Sequence, residues 1–454
     1  MSLPWTSSST GESRGGNVRV VVIGTGHVGL VTCGTLAALG HEVVGTDADQ
    51  EKISRLQSGN LPFHEPDLDA LVEEQAKDGR LRFTDDASEA IPNADVVFIC
   101  VSTPPRSTGE ANLVAVEQAV RQVGHRASGR TVVVEKSTVP AGTAQRIRHV
   151  LLQEGNGIRK ELEVVSNPEF LREGSAVRDS LEPDRILVGA ERDWAFGVMR
   201  ELYAPLIASG ARLIETDINT AELAKHASNA FLALKVSYAN ALARICERAE
   251  ADVVAVAEVM GADPRIGPDF LRAGLGYGGS CFPKDLQAFQ HLAATLHYDF
   301  PLLREIGRIN DEAIEATLEK VRAGLWNLEH KRVVLLGLAF KPGTDDVRFS
   351  PPLVLAARLL DGGATVVGHD PQAMANAKEE CPGLLASTDP YEAAEGAHCL
   401  VVCTEWPEFR SLDLERLRDV MAQPFIVDAR NLFEPEEILA AGFSYQPTGR
   451  PGSP

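Results

Sequence analysis

From Val18 the chain opens with a strand-like run to Ile23, apolar but for Arg19, then a glycine-rich turn, an Ala/Leu-rich stretch, and a second strand from His41 to Gly45. Short β-branched runs that alternate with longer helical stretches predict strands alternating with helices, an α/β arrangement. Further strands are expected at Asp95 to Val101, Thr131 to Glu135 and Glu163 to Ser166, each followed by Pro, Ser, Thr or Asn. Such exits suit loops that leave the carboxyl edge of a parallel sheet, where ligands gather.

Between Thr220 and Ala251 the pattern changes: Leu223, Ala227, Phe231, Leu234, Tyr238, Leu242, Ile245 and Ala249 recur with a period near 3.6, with no Pro or Gly. This predicts one helix on the order of 45 Å long. Two readings stand: an interdomain spine with a dimer contact, which is preferred, or a helix simply buried in a core. Strand texture returns at Arg332 to Leu336, Thr365 to Gly368, Cys399 to Thr404 and Phe425 to Val427. An internal echo accompanies it, GHEVVGTD (40–47) against GATVVGHD (363–370) and ADVVFIC (94–100) against AHCLVVC (397–403). Two related α/β domains around a helical middle account for the echo; convergence of short core strands also produces such repeats.

The chain has 454 residues, 44% of them apolar and 24% charged, so several globular domains are expected. Lys and Arg number 44 against 64 Asp and Glu, a net charge of −20. That field argues against nucleic acid as the main partner and leaves room for a local basic pocket holding a small phosphate ligand. No window approaches the run of about 18 apolar residues that a membrane span requires, so no membrane partner is expected. Residues 1–17 are rich in Ser, Thr and Gly without the apolar centre of a secretory signal, and read as a flexible leader. The tail 446–454, QPTGRPGSP, is expected to be disordered. Seven cysteines, an odd number without paired Cys-x-x-Cys motifs, fit a reducing cytoplasm. For Cys399 and Cys403 core packing is preferred over metal binding.

The first chemical motif is Gly24-Thr-Gly26-His27-Val28-Gly29, between a strand and an apolar helix, with Asp47 at the end of the next strand. Glycines there permit a tight turn and close approach of backbone to a pyrophosphate, and the acid can accept from a ribose hydroxyl. Asp47 favours NAD over NADP, whose 2′-phosphate would meet its charge. Lys52 either flanks the adenosine or is a solvated lysine. Three polar pairs at i, i+4 spacing follow: Glu169 with Glu173, Lys225 with Asn229, and Cys281 with Asp285. Each pair shares one face if its segment is helical. Cys281 follows four glycines in a loop whose free amides are expected to lower its pKa.

The runs SNPEFLREGS (166–175), KHASNAFLALK (225–235), GLGYGGSCFPKD (274–285) and GLAFKPGTDDVR (337–348), with Asp263-Pro-Arg265, resemble signature blocks of the UDP-glucose/GDP-mannose dehydrogenase family. The resemblance runs from Val18 to about Phe433. It implies an α/β fold of two Rossmann-like doubly wound domains, an NAD-binding one at 18–215 and a UDP-sugar-binding one at 321–445. A central long-helix dimerisation region at 216–320 would join them and carry the catalytic Cys loop. The implied reaction is an NAD-dependent, metal-free four-electron oxidation of UDP-glucose to UDP-glucuronate through a thiohemiacetal and a thioester, with GDP-mannose or UDP-N-acetylmannosamine as alternative substrates. A two-electron hydroxyacid dehydrogenase and a non-catalytic NAD-binding protein are the other readings.

Matched to the family's motifs, Cys281 is the implied nucleophile, and Lys225 and Asn229 stabilise oxyanions. Asp285 and Thr138 hold a proton-transferring water, and Glu169 assists thioester hydrolysis. Cofactor contacts are implied for the glycine turn, His27, Val28, Asp47, Lys52, Thr103, Pro104, Ser137, Thr138, Glu173, Lys284 and Arg348. Substrate contacts are implied for Glu169, Phe170, Leu171, Lys225, Asn229, Arg265, Arg272, Leu275, Tyr277, Gly278, Phe340, Lys341 and Arg430. Arg265 would reach across a homodimer interface. Ala241 and Phe349 stand where the family commonly has Glu.

Overall fold

The computed structural model describes residues 17–106, 109–154 and 161–452, so the expected leader lies outside it except for Asn17. The first sheet holds β1 (Arg19–Ile23), β2 (Glu42–Thr46), β3 (Leu81–Thr84), β4 (Val96–Ile99), β5 (Thr131–Glu135), β6 (Leu162–Ser166), β7 (Arg185–Gly189) and β8 (Arg212–Thr216). Their order is β3-β2-β1-β4-β5-β6-β7-β8, parallel except where β7 meets β6. The second sheet holds β9 (Arg332–Leu336), β10 (Thr365–His369), β11 (Leu385–Ala386), β12 (Cys399–Val402), β13 (Phe425–Asp428) and β14 (Ser444–Pro447). It is parallel throughout, in the order β11-β10-β9-β12-β13-β14. Central strands such as β1 and β4 are β-branched or aromatic and buried on both faces, because helices cover both sides of each sheet.

Strand order reverses between β1 and β4 and between β9 and β12, and a crevice opens above each switch point. The sequence echo falls on matching parts: β2 and β10 carry its first member, β4 and β12 its second. The backbone repeats too. Gly24 N donates to Thr46 O at 2.7 Å and Gly337 N to His369 O at 2.7 Å.

The long helix runs from Ile218 to Ala249, 32 residues, capped by Asp217, whose carboxylate accepts from Thr220 N. Its predicted apolar stripe points outward: Leu223, Phe231, Tyr238 and Ile245 are all exposed. The opposite face, with Lys225, His226, Asn229, Ala233, Ser237 and Asn240, is buried, and the helix packs on helices Phe282–Thr295 and Pro301–Leu325. The reading of a merely buried helix therefore fails.

Residues 446–452 correct the expectation of a disordered tail. Gln446 and Pro447 continue β14 beside Val427 and Asp428. Gly449 N donates to Glu247 at 2.9 Å, and Arg450 pairs with Asp252 and Glu434. Backbone pairing and these ion pairs order a segment whose polar, Pro-rich composition reads as loop. Cys399 and Cys403 are fully buried in one apolar cluster, so packing accounts for both. Among the described residues, no helix is long and apolar enough to cross a membrane.

Candidate active site

At the β1–β4 switch point the glycine turn is closed on its inner side. A Cβ on Gly24, at φ +98°, would fall 2.6 Å from Cys100 O, and one on Gly29 would fall 1.8 Å from Gly24 O. A Cβ on Gly26 would meet nothing within 4 Å, so the outer side is open against the first amides of helix His27–Ala38. That cradle fits a pyrophosphate. Asp47 Oδ2 accepts from Thr25 N at 2.9 Å and from Lys52 Nζ at 3.0 Å. Burial raises its pKa, but the Thr25 amide and the Lys52 ammonium outweigh that and hold it below the usual carboxylate range. Val28 packs on the sheet core, and Pro104 is exposed. The Thr103 hydroxyl donates to Thr138 O at 2.9 Å and the Ser137 hydroxyl to Val101 O at 2.7 Å, which ties together the ends of β4 and β5.

Beside the middle of helix His27–Ala38, at Thr32, Thr35 and Leu36, lies a cavity of about 540 Å³ whose lining includes Glu169, Phe170, Lys225, Asn229, Cys281 and Phe282. Lys225 Nζ lies 2.9 Å from Glu169 Oε1, and both side chains are buried. Burial lowers the Lys225 pKa, yet Glu169, Asp285 and Cys281 together raise it above the ordinary lysine value, so its charge is kept. Asn229 Nδ2 donates to Asp285 Oδ2 at 2.6 Å. Lys284 Nζ stands 3.1 Å from Asp285 Oδ1 but off the line of a hydrogen bond, leaving that buried oxygen without a hydrogen-bond partner. Lys284 also reaches the Thr103 hydroxyl at 3.4 Å, which links the cofactor side to the cavity.

Lys225 and Asn229 share a helical face as their spacing predicts, and Asp285 N donates to Cys281 O at 2.8 Å in the first turn of helix Phe282–Thr295. Glu169 and Glu173 do not share a helix. They sit on an irregular loop that Pro168 and Gly174 keep from winding, and only the adjacent helix Ala176–Leu181 is regular. The expected lowering of the Cys281 pKa is also corrected. Burial, then Glu169, Glu173 and Asp285, push the thiol up to about 11, with Lys225 opposing.

The Cys loop is clamped from both sides. Asn240 Oδ1 accepts from Gly274 N at 2.7 Å, and the Asn310 amide bonds both Tyr277 N at 2.7 Å and Tyr277 O at 3.1 Å. A Cβ on Gly278 would fall 2.3 Å from Phe349 O, so only glycine lets the second domain's loop approach. On that loop Phe340 packs against Gly279 and Lys341 lies over the Phe340 ring. Burial lowers the Lys341 pKa, with Glu173 and Glu65 opposing. Arg430 Nε donates to Cys403 O at 2.9 Å and flanks Gly274. Arg348 is held by Asp346 at 2.7 Å and lies 3.9 Å from Glu173. Burial first and Asp346 second push Glu173 up to about 7, against His27 and Arg348.

Three expected substrate residues are placed apart. Arg265 is exposed and pairs with Asp263 on its own loop, Arg272 is exposed, and the Leu275 side chain is fully buried in the second domain's core, leaving only its backbone for a ligand. Leu171 packs on the first domain, while Phe170 is stacked under Arg185 and faces Lys225. Several residues of the constellation carry no motif of their own. Lys136 Nζ is bonded to Asn167 Oδ1 at 3.1 Å in the cavity wall, and Glu65, Asn240 and Asn310 brace loops.

A dinucleotide-type crevice, a second nucleotide-type domain and a cysteine between them define a nucleotide-dependent oxidoreductase. The chain belongs to the UDP-glucose/GDP-mannose dehydrogenase family: the family's NAD binding domain matches residues 18–207, its central domain 219–312 and its UDP binding domain 334–435. It is 44% identical over 438 residues to the UDP-glucose 6-dehydrogenase of Rhizobium meliloti (strain 1021), covering 96% of this chain and 100% of that one. It is 41% identical over 445 residues to the UDP-glucose 6-dehydrogenase of Pseudomonas aeruginosa PAO1, covering 96% and 98%. A solved UDP-glucose dehydrogenase from the archaeon Pyrobaculum islandicum superposes with a TM-score of 0.90 at 35% identity, over 97% of this chain and 100% of that one. This protein is an NAD-dependent nucleotide-sugar dehydrogenase.

Proposed function

We propose that the chain oxidises UDP-glucose to UDP-glucuronate with two molecules of NAD. The observation that carries this is one cavity lined by Cys281, the Lys225–Glu169 pair and Asn229, with Asp285 bonded to Asn229, the groups that two successive oxidations at one carbon require. The glycine turn, Asp47 and Lys52 would hold NAD, which would supply the hydride acceptor for both oxidations at C6. In the first oxidation a water held at Asp285 Oδ1, which faces the Lys284 ammonium but accepts no hydrogen bond, relays the O6 proton away, and C6 becomes an aldehyde. Cys281 Sγ then bonds to C6 and its proton passes to the new oxygen, giving a thiohemiacetal; Lys225 and Asn229 stabilise the transient oxyanion. Loss of that hydroxyl proton in the second oxidation leaves a thioester. Water, deprotonated with help from Glu169, adds to C6; the C–S bond breaks and frees Cys281. One alcohol and one water yield one carboxylate, two NADH and three protons.

For the UDP group we propose Lys341, Phe340 and Arg430, at the crevice of the second sheet. The exposed stripe Leu223, Phe231, Tyr238 and Ile245, with Val259 and Ile266 also exposed, supports a homodimer through the long helix, to which Arg265 would bring its charge. A first domain limit near 215 is supported by the end of β8 at Thr216, whereas a limit at 320 falls inside helix Pro301–Leu325, ahead of β9. Seven free thiols support a reducing cytoplasm.

The test is NADH formed per nucleotide sugar consumed. Two NADH with UDP-glucose, and slower turnover of GDP-mannose and UDP-N-acetylmannosamine, are expected. One NADH per sugar overturns the four-electron reading, and preference for either rival sugar overturns the substrate.

A further inference from the structure

Glu65 lies in none of the motifs above, in an irregular segment between Pro62 and Pro66, and its side chain is fully buried. Its carboxylate makes three contacts that join separate parts of the site. Oε2 lies 2.7 Å from His27 Nε2, the first residue after the glycine turn, and accepts from Gly174 N at 2.8 Å. Oε1 accepts from Ala176 N at 2.7 Å. The segment so held is the one carrying Glu169, Phe170 and Arg172 into the cavity wall. Its far side rests on the second domain: a Cβ on Gly174 would fall 3.1 Å from Pro342 O and 3.2 Å from Gly343 O. His27 Nδ1 is buried without a hydrogen-bond partner, so the ring keeps one free polar valence beside the turn.

We propose that Glu65 is a positioning residue that couples the cofactor turn to the sugar-side loop 169–176. The inference rests on the cofactor site proposed at the glycine turn. A ligand that fixes His27 fixes Glu65, and a fixed Glu65 holds both loop amides. Coupling is reciprocal, so the sugar nucleotide tightens NAD by the same factor as NAD tightens the sugar nucleotide.

Glu65→Gln isolates the effect. Whichever way the amide is turned, its NH2 faces either Gly174 N–H or Ala176 N–H, and one backbone donor loses its acceptor. His27→Phe is the second variant; it keeps a ring against Phe63, 4.8 Å away between centroids, and leaves both loop amides bonded while cutting the link to the turn. Hydrogen exchange of the full chain is followed at 169–176 with and without NAD, alongside NAD binding by calorimetry and steady-state kinetics. In the parent protein NAD is expected to slow exchange at 169–176. In both variants that slowing disappears, and KM for UDP-glucose at saturating NAD rises about tenfold, with a smaller change in kcat. If Glu65→Gln does not fold, His27→Phe decides. NAD that binds the parent without protecting 169–176, or protects it equally in His27→Phe, overturns the coupling and leaves the cofactor site intact. Failure of the parent to bind NAD overturns the cofactor site and the coupling with it.

Discussion

The two sheets share a strand order around their switch points, yet the acid that ends the second strand of each is used in opposite ways. Asp47 and Asp370 follow matching strands, and each accepts from the residue after the turn glycine, Thr25 N at 2.9 Å and Leu338 N at 2.7 Å. Asp370 is fully enclosed and also accepts from Ala339 N, Gln372 N, Ala373 N and Trp406 Nε1. Asp47 remains partly open, with Lys52 beside it. The turns diverge in step: Gly26 leaves backbone bare in the first, while Phe340 and Lys341 fill the second. One scaffold thus serves two nucleotides. Where the protein satisfies the acid itself, the acid is structural; where it leaves an edge exposed, a ribose can complete it.

The largest effect separates both halves from the helical middle. Cys281→Ala should cut sugar-acid formation at least about 10³-fold, because removing a nucleophile cannot be offset by binding groups. NAD and UDP-glucose binding should persist, since neither switch point contains the cysteine. Full sugar-acid output from the variant, measured by chromatography of the product, rules the covalent route out. Next is Asp370→Asn, which sets an NH2 against backbone donors in a closed site and should cost about 3 kcal/mol. Urea unfolding followed through Trp406, itself a donor to Asp370, reads this directly. An unchanged midpoint would mean that the acid is not structural.

The alternation of strands, the internal echo and the Lys225–Asn229 face were legible because each depends on local periodicity. The strands β8 and β14 were not, since Glu215 and Gln446 interrupt their apolar texture and pairing with neighbours decides them. The helix stripe was legible as a pattern but not its direction, which is set by Lys225, Asn229 and Asn240 facing the cavity side. Glu65, Asn240 and Asn310 act on backbone far away in sequence, and a lone polar residue has no spacing to betray that. The reactivity of Cys281 was misread because four glycines suggest free amides, whereas burial first, and then three carboxylates folded around the thiol, set its pKa.

That field gives the third prediction. With a pKa near 11 against the ordinary 9.0, Cys281 is protonated at neutral pH. Its thiolate fraction there is lower by about a hundredfold than that of an ordinary cysteine. Iodoacetamide labelling of Cys281, followed by peptide mass spectrometry, should therefore be slow at pH 7.5 and keep rising with pH past 9. Lys225→Met removes a cation that lowers this pKa and should displace the profile to still higher pH. A midpoint below 8 in the parent would show that the loop amides win after all.

The smallest effect returns to the paired acids. Asp47→Asn keeps an acceptor for Thr25 N but loses the charge that holds Lys52 and would repel a 2′-phosphate. NAD binding should weaken about tenfold, the scale of one charge-assisted hydrogen bond. NADP binding should improve relative to NAD, because Lys52 is then free to meet a phosphate. Unfolding in urea should move far less than in Asp370→Asn, since Asp47 is partly solvated and its donors can turn to water. The two substitutions are chemically identical and sit at matching strand ends. If Asp47→Asn destabilises the fold as much as its counterpart and leaves the NAD to NADP ratio unchanged, the acids play one role, and the division of labour between the halves must lie in the turns alone.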